Sequence, residues 1–183
     1  MKYIFILTFI SAFLTTNAQK FMTKNGYIGF YSHTPVEDIK ADNNQVASIL
    51  DISTGEIAFQ VLIKSFQFEK ALMQEHFNEN YLESEKFPRS TFSGKITNFS
   101  DVNFSKPGKY EVTVEGDLLI HGVTKKISTK GSVEIAENSI IATSKFNIQP
   151  EDYNINIPAV VRNNIAKIIE VTVNMKYAPL EKK

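Results

Sequence analysis

The chain has 183 residues, with 20 lysines and arginines against 20 aspartates and glutamates, 14 phenylalanines, no tryptophan and no cysteine. The balanced charge gives no electrostatic footing for nucleic acid or an anionic membrane surface. Without thiols there is no disulfide and no thiolate metal site, and the length suits one domain with a single core.

The first element is an export signal. Lys2 precedes an apolar run from Tyr3 to Leu14, and small and polar residues lead on to Ala18. This three-part order predicts a signal peptide over residues 1–18, with cleavage after Ala18. The run falls short of the roughly 20 apolar residues of a spanning helix. No cysteine comes after it, so a lipid-anchored lipoprotein is not expected. The mature domain is then 19–183, periplasmic or secreted, and the lack of thiols fits an oxidising compartment.

Strand-like alternation dominates the mature domain. Tyr27 to Ser32 and Val46 to Asp51 give weaker strands, and "DISTGE" (Asp51 to Glu56) reads as a polar turn. Ile57, Phe59, Val61 and Ile63 then alternate with Glu56, Gln60 and Lys64. The segment from Ser65 to Ser84 changes period. Phe68 and Leu72 are four apart, and Met73, Phe77 and Tyr81 form a second column at the same spacing, which predicts a helix that covers one end of a barrel. Pro88 lies beyond it as a stop.

Strands resume with Phe92 and Ile96 opposite Thr91, Lys95 and Thr97. Tyr110, Val112, Val114, Leu118 and Ile120 share a face, with Gly116 among them, and His121-Gly122 predicts a hairpin corner. Ile127, Val133 and Ile135 continue on the far side of it. Ile140, Ala142, Phe146 and Ile148 form the next face, and Ile165, Ile169, Val171, Val173, Met175 and Tyr177 the last. About eight strands suffice to close an antiparallel barrel around a packed interior or one small ligand. A membrane barrel would turn these apolar faces outward. The dense charges at Lys126, Lys130 and Glu134, the missing aromatic girdles and the helical segment argue against one.

Catalytic signals are weak. No Gly-x-Ser-x-Gly elbow, HExxH or His-x-His pattern occurs. His33, His76 and His121 would make a zinc site only if the fold brought them to one point. No cofactor, no catalytic residue and no metal ligand is expected.

The hairpin stretch "GDLLIHGVTKKI" (Gly116 to Ile127) resembles the G-D-L-T-I-H-G-V-T-K signature of the YceI-like polyisoprenoid-binding family. Upstream, "EHFNENYLESEKFPRSTFSGK" is similar to that family's second hallmark, with His76, Tyr81, Phe87, Pro88 and Phe92 in matching order. "IGFYSHTPVEDIKADNNQV" resembles its first strand and loop, with His33 at a frequent histidine position. Gln74-Glu75 stands where the family often has Arg-Asp, and Asn43-Asn44-Gln45 replaces a Gly-x-Phe. The resemblance implies an all-β, lipocalin-like antiparallel β-barrel of about eight strands with one helical insertion. It also implies an exported protein whose tunnel holds an isoprenoid-like lipid. The alternative is an exported structural or adaptor barrel filled by its own side chains. Candidate ligand-lining residues are Phe30, Phe59, Val61, Ile63, Phe92, Ile96, Val114, Leu118, Ile127, Val133, Phe146, Ile148, Val171 and Val173. Oligomeric state is not legible in the sequence.

Overall fold

The computed structural model describes residues 20–180; the signal-peptide reading and its cleavage site lie outside them. The chain runs β1 (Lys20–His33), β2 (Asp38–Asp51), β3 (Glu56–Leu62), β4 (Gln67–Phe68), α1 (Ala71–His76), β5 (Arg89–Ile96), β6 (Gly108–Ile120), β7 (Val123–Ala136), β8 (Ser139–Ile148) and β9 (Ile169–Pro179). The order around the sheet is β1-β9-β8-β7-β6-β5-β3-β2, and β1 pairs with β2 to close it. The result is a closed antiparallel barrel of eight strands, as the alternation predicts. The two residues of β4 add a short ninth strand beside β2, pairing Ala41 with Phe68.

Alternation along each strand becomes inside and outside. On β6, Val112 and Leu118 are buried while Glu111 and Glu115 are exposed. Lys126, Lys130 and Glu134 of β7 face out. Charge therefore coats the outer wall, the reverse of a barrel in contact with lipid tails. Among the described residues, no helix is long and apolar enough to cross a membrane.

Two turns show the local chemistry. In the β2–β3 connection the Asp51 carboxylate accepts from the Ser53 backbone N–H at 2.9 Å, and Gly55 takes a φ of 75°. In the β6–β7 hairpin Ile120 pairs directly with Val123. A two-residue loop that matches the strand twist needs positive φ at both positions. His121 (50°) and Gly122 (75°) supply it.

The helical segment is shorter than the period predicts. Phe66 is extended, Phe68 is drawn into β4, and α1 begins only at Ala71. It passes into one wider, π-type turn over Phe77–Tyr81 and ends before Glu83, whose φ is 43°, well short of Pro88. The reason is aromatic packing. An extended Phe68 reaches Phe30 at 5.8 Å and Phe77 at 5.0 Å between ring centroids, contacts that add to simple burial. Leu72, paired with Phe68 by spacing, is left exposed. Ile165, assigned by parity to the last strand, lies in the loop before β9.

The two barrel ends differ. At the end holding the start of β1, the β2–β3 turn and the β5–β6 loop, Val46, Ile135, Ile140 and Tyr177 pack solid. Phe99 fits against Gly55 there and lies 5.7 Å from Phe104. The Tyr177 hydroxyl donates to Ser48 Oγ at 2.7 Å, and Ser48 in turn donates to the Ala58 carbonyl at 2.8 Å. Burial pushes the Tyr177 phenol well above its ordinary range. Tyr177→Phe leaves Ser48 bonded to Ala58, so the expected loss is about 1 kcal/mol, read as a lower urea midpoint at unchanged slope.

The opposite end carries the β1–β2 turn, the β6–β7 hairpin and both long insertions, residues 63–88 and 149–168.

Candidate functional site

A cavity of about 330 Å³ occupies the barrel between the solid end and the insertions. Its wall is almost wholly apolar. The fourteen residues chosen by alternation all stand on it, drawn from β1, β3, β5, β6, β7, β8 and β9, with Ile63 contributing from the turn after β3. Parity explains this convergence: in a closed barrel every inward position of every strand meets the same interior.

One structural device widens the space. Gly94 of β5 sits opposite Gly116 of β6. A Cβ on either would come within 2.7 Å of the Phe92 ring. The bare glycine pair lets that ring lie down on the sheet, where it stacks on Phe59 at 5.1 Å.

The lid comes from residues sequence reasoning placed on the helix but left out of the site. Met73, Phe77 and Tyr81, the second helical column, line the cavity. Phe77 closes over Phe30 at 5.4 Å, and Phe66 lies 5.5 Å from both rings. The loop before β9 adds Ile155, Ile157 and Ile165. Ile165 was readable by parity with Val171 and Val173, whereas Ile155 and Ile157 lie in a loop outside the strands read from the sequence. Val112 and Ile120 share the inward face of β6 and were readable by the same parity.

Apart from hydroxyls on the β7–β8 wall, where Thr129 meets Ser144 at 3.1 Å and Ser132 meets Thr143 at 3.0 Å, polar groups gather where the lid meets the barrel. Thr34 shapes the β1–β2 turn, its hydroxyl accepting from the Glu37 backbone N–H at 3.0 Å. The Glu37 carboxylate then accepts from Asn164 at 3.1 Å and from Lys70 at 3.0 Å, joining the turn, the lid and the β8–β9 loop. These two donors, Asn164 foremost, hold the Glu37 carboxyl below its ordinary value of 4.5. Glu37, Asn164 and the exposed His76 all border the cavity. The buried Ser32 hydroxyl fixes the same loop by accepting from the Ala166 N–H at 2.9 Å.

A carboxyl whose folded value is depressed stabilises the fold fully above its unfolded value, and the contribution is lost as pH falls through the folded value. The Glu37 latch is therefore expected to hold at neutral pH and to be lost only in acid below the ordinary glutamate range. At pH 7, Glu37→Gln should speed amide exchange across residues 66–82. At a pH acid enough to protonate the Glu37 carboxyl, variant and parent should exchange alike. Equal exchange at both pH values would remove the latch from the account.

The three histidines do not form one site. His33 lies 2.5 Å from Asp38 on the surface, His76 is on α1, and His121 is largely buried at the hairpin. The His121 Nδ1–H donates to the Tyr153 carbonyl at 3.1 Å, and Nε2 lies 2.7 Å from the Glu83 carboxylate. His121 thus ties the hairpin to both insertions, and the Phe87 ring covers it edge-on at 4.5 Å. Among the described residues, no group of three or more His, Cys, Asp or Glu is placed to hold a metal ion.

A model of the YceI-like domain matches residues 19–177. The chain belongs to the YceI-like family. Solved structures share the fold of this YceI-like barrel at low sequence identity. A polyisoprenoid-binding domain from Saccharophagus degradans, implicated in plant cell wall breakdown, aligns with a TM-score of 0.77 at 14% identity, covering 90% of this chain and 100% of the other. BcnA of Burkholderia cenocepacia aligns at 0.70 and 12% identity, covering 84% and 96%. The Campylobacter jejuni YCEI protein aligns at 0.59 and 16% identity, covering 82% and 90%. A comparison with curated proteins finds no match.

Proposed function

We propose that this YceI-like protein binds the apolar chain of a lipid, of isoprenoid type, inside the barrel and carries or sequesters it in the periplasm or outside the cell. The observation that carries the reading is the cavity itself: a space of about 330 Å³ with an apolar wall, closed at one end and covered by an aromatic lid at the other. A barrel serving only as a scaffold has no use for such a void, since each unfilled cavity destabilises a core. An apolar guest removes water from its own surface and from the wall, at roughly 25 cal/mol for each Å² buried. The Glu37–Asn164–Lys70 cluster at the rim leaves polar partners where a head group would emerge. The family membership and the polyisoprenoid-binding relative support the class of ligand. The predicted leader over residues 1–18 and the absence of cysteine support export. The action is binding, without a chemical step.

Titration with an apolar fluorescent probe, and then displacement with a long-chain isoprenoid alcohol, tests the reading. Saturable one-to-one uptake and competitive displacement are expected. No uptake, or uptake that the isoprenoid leaves untouched, would refute it.

A further inference from the structure

The inner wall of β7, β8 and β9 is built in rows. Strand register aligns Val133, Ala142 and Met175 in one row, and Ile135, Ile140 and Tyr177 in the next row toward the solid end. The first row touches the cavity. The second does not, and its three side chains are buried. The floor of the cavity therefore lies between the two rows. Toward the mouth, the inward positions on the cavity run as far as Ile127 on β7, Ile148 on β8 and Ile169 on β9. From floor to mouth each of these strands advances six residues, which is about 20 Å of strand. Barrel strands tilt by about 40°, so the cavity is about 15 Å deep along the barrel axis. A volume of about 330 Å³ over that depth leaves a mean cross-section of about 22 Å².

One extended hydrocarbon chain has this width. A dry apolar cavity of about 150 Å³ takes one benzene, roughly 25 Å³ for each carbon. With C–C bonds of about 1.5 Å, each carbon of a zigzag chain advances about 1.25 Å and so occupies about 20 Å² in cross-section. The depth admits about 12 such carbons and the volume about 13. Register and volume agree for a chain that lies single and extended. We propose that the barrel takes one chain in single file and that the Val133–Ala142–Met175 row stops it after about 12 to 13 carbons, roughly two and a half isoprene units. A longer chain enters by one end and leaves its remainder at the mouth. The paired chains of a diacyl lipid, or a fused-ring lipid, need about twice the width, and closely packed walls do not yield that much. The hydroxyls on the wall do not call for a polar guest. Ser144 donates to the Lys130 carbonyl at 2.7 Å and shares a hydrogen bond of 3.1 Å with Thr129, so an apolar chain covers them without stranding a donor. Ala142 is the measuring residue, because it is the smallest side chain in the floor row. This inference gives the shape and length of the guest and rests on the lipid-binding reading.

The test is displacement of the apolar fluorescent probe by geraniol, farnesol and geranylgeraniol, prenyl alcohols that lengthen by one isoprene unit at each step. Each is used below its aggregation concentration. A buried methylene is worth about fourfold in affinity. Farnesol should therefore bind at least about tenfold tighter than geraniol, and geranylgeraniol within about threefold of farnesol. Cholesterol should leave the probe in place. Ala142→Leu adds three carbons to the floor and shortens the file by as many. Farnesol should then lose its advantage, the two shorter alcohols binding within about threefold of each other. Ala142→Val adds less and should fall between parent and Ala142→Leu. Urea unfolding confirms that each variant is folded. A rise from farnesol to geranylgeraniol as steep as that from geraniol to farnesol overturns the proposal. So does displacement by cholesterol, or a series that both floor variants leave unchanged. In those three outcomes the alcohols still bind, and the lipid-binding reading stands. If no alcohol displaces the probe from the parent, that reading falls and the single-file proposal falls with it.

Discussion

Gly116→Val is expected to destabilise the barrel by about 3 kcal/mol, the largest single loss in stability that the structure predicts. A Cβ at Gly116 would stand 2.4 Å from the Ser93 carbonyl oxygen and 2.5 Å from Gly94 Cα. Both are backbone atoms of the neighbouring strand and have no room to give. The same Cβ would press into the Phe92 ring at 2.7 Å and force it off the sheet, into the cavity. The cost is therefore twofold: β5 and β6 must separate, and the displaced ring loses its stack on Phe59. Glu111→Val, on the outer face of the same strand, meets neither obstacle and should change stability by less than about 0.5 kcal/mol. Urea unfolding of the two variants distinguishes this account from a general intolerance of β-branched residues on β6. Equal midpoints would contradict it.

Ile127→Glu is expected to weaken binding of an apolar guest by roughly a hundredfold, about 3 kcal/mol. Ile127 projects from β7 opposite Gly116, on the cavity wall beside the cleared floor. In the empty barrel a carboxylate there can keep water. An apolar guest must strip that water and offers no hydrogen bond in return. Ile127→Leu keeps volume and polarity and should bind within about threefold of the parent, a difference under 1 kcal/mol. Probe titration at pH 7 measures both. Unchanged affinity in Ile127→Glu would mean that the guest does not lie along this wall.

These two residues also show what the sequence made legible. Alternation offers only two registers, and an antiparallel sheet with one polar face allows only one of them to point inward. Phe59, Val114, Ile127 and Phe146 could be placed on one side of the sheet before any fold was known. The clearing around Gly94 and Gly116 could not, because the two glycines are 22 residues apart and meaningful only once paired. Nor could the solid end: Ile135, Ile140 and Tyr177 carry the same parity as the cavity-lining Val133, Ala142 and Val173. Height along the barrel separates them, and strand stagger sets that height. The overlong helix had a visible counter-signal. Phe66 and Phe68 are two apart, the strand period, and tertiary contacts with Phe30 and Phe77 made that period win. The Glu37 latch joins residues 127 apart in sequence and belongs to no local pattern.

The central claim is that the interior holds an apolar chain. Native mass spectrometry of the protein purified gently from its own cells tests it most directly, with organic extraction of the same sample to recover the guest. One equivalent of a long-chain, isoprenoid-type lipid, absent from Ile127→Glu prepared in parallel, is the predicted result. A barrel that is repeatedly empty, and that stays empty when offered isoprenoid lipids in solution, would contradict the account.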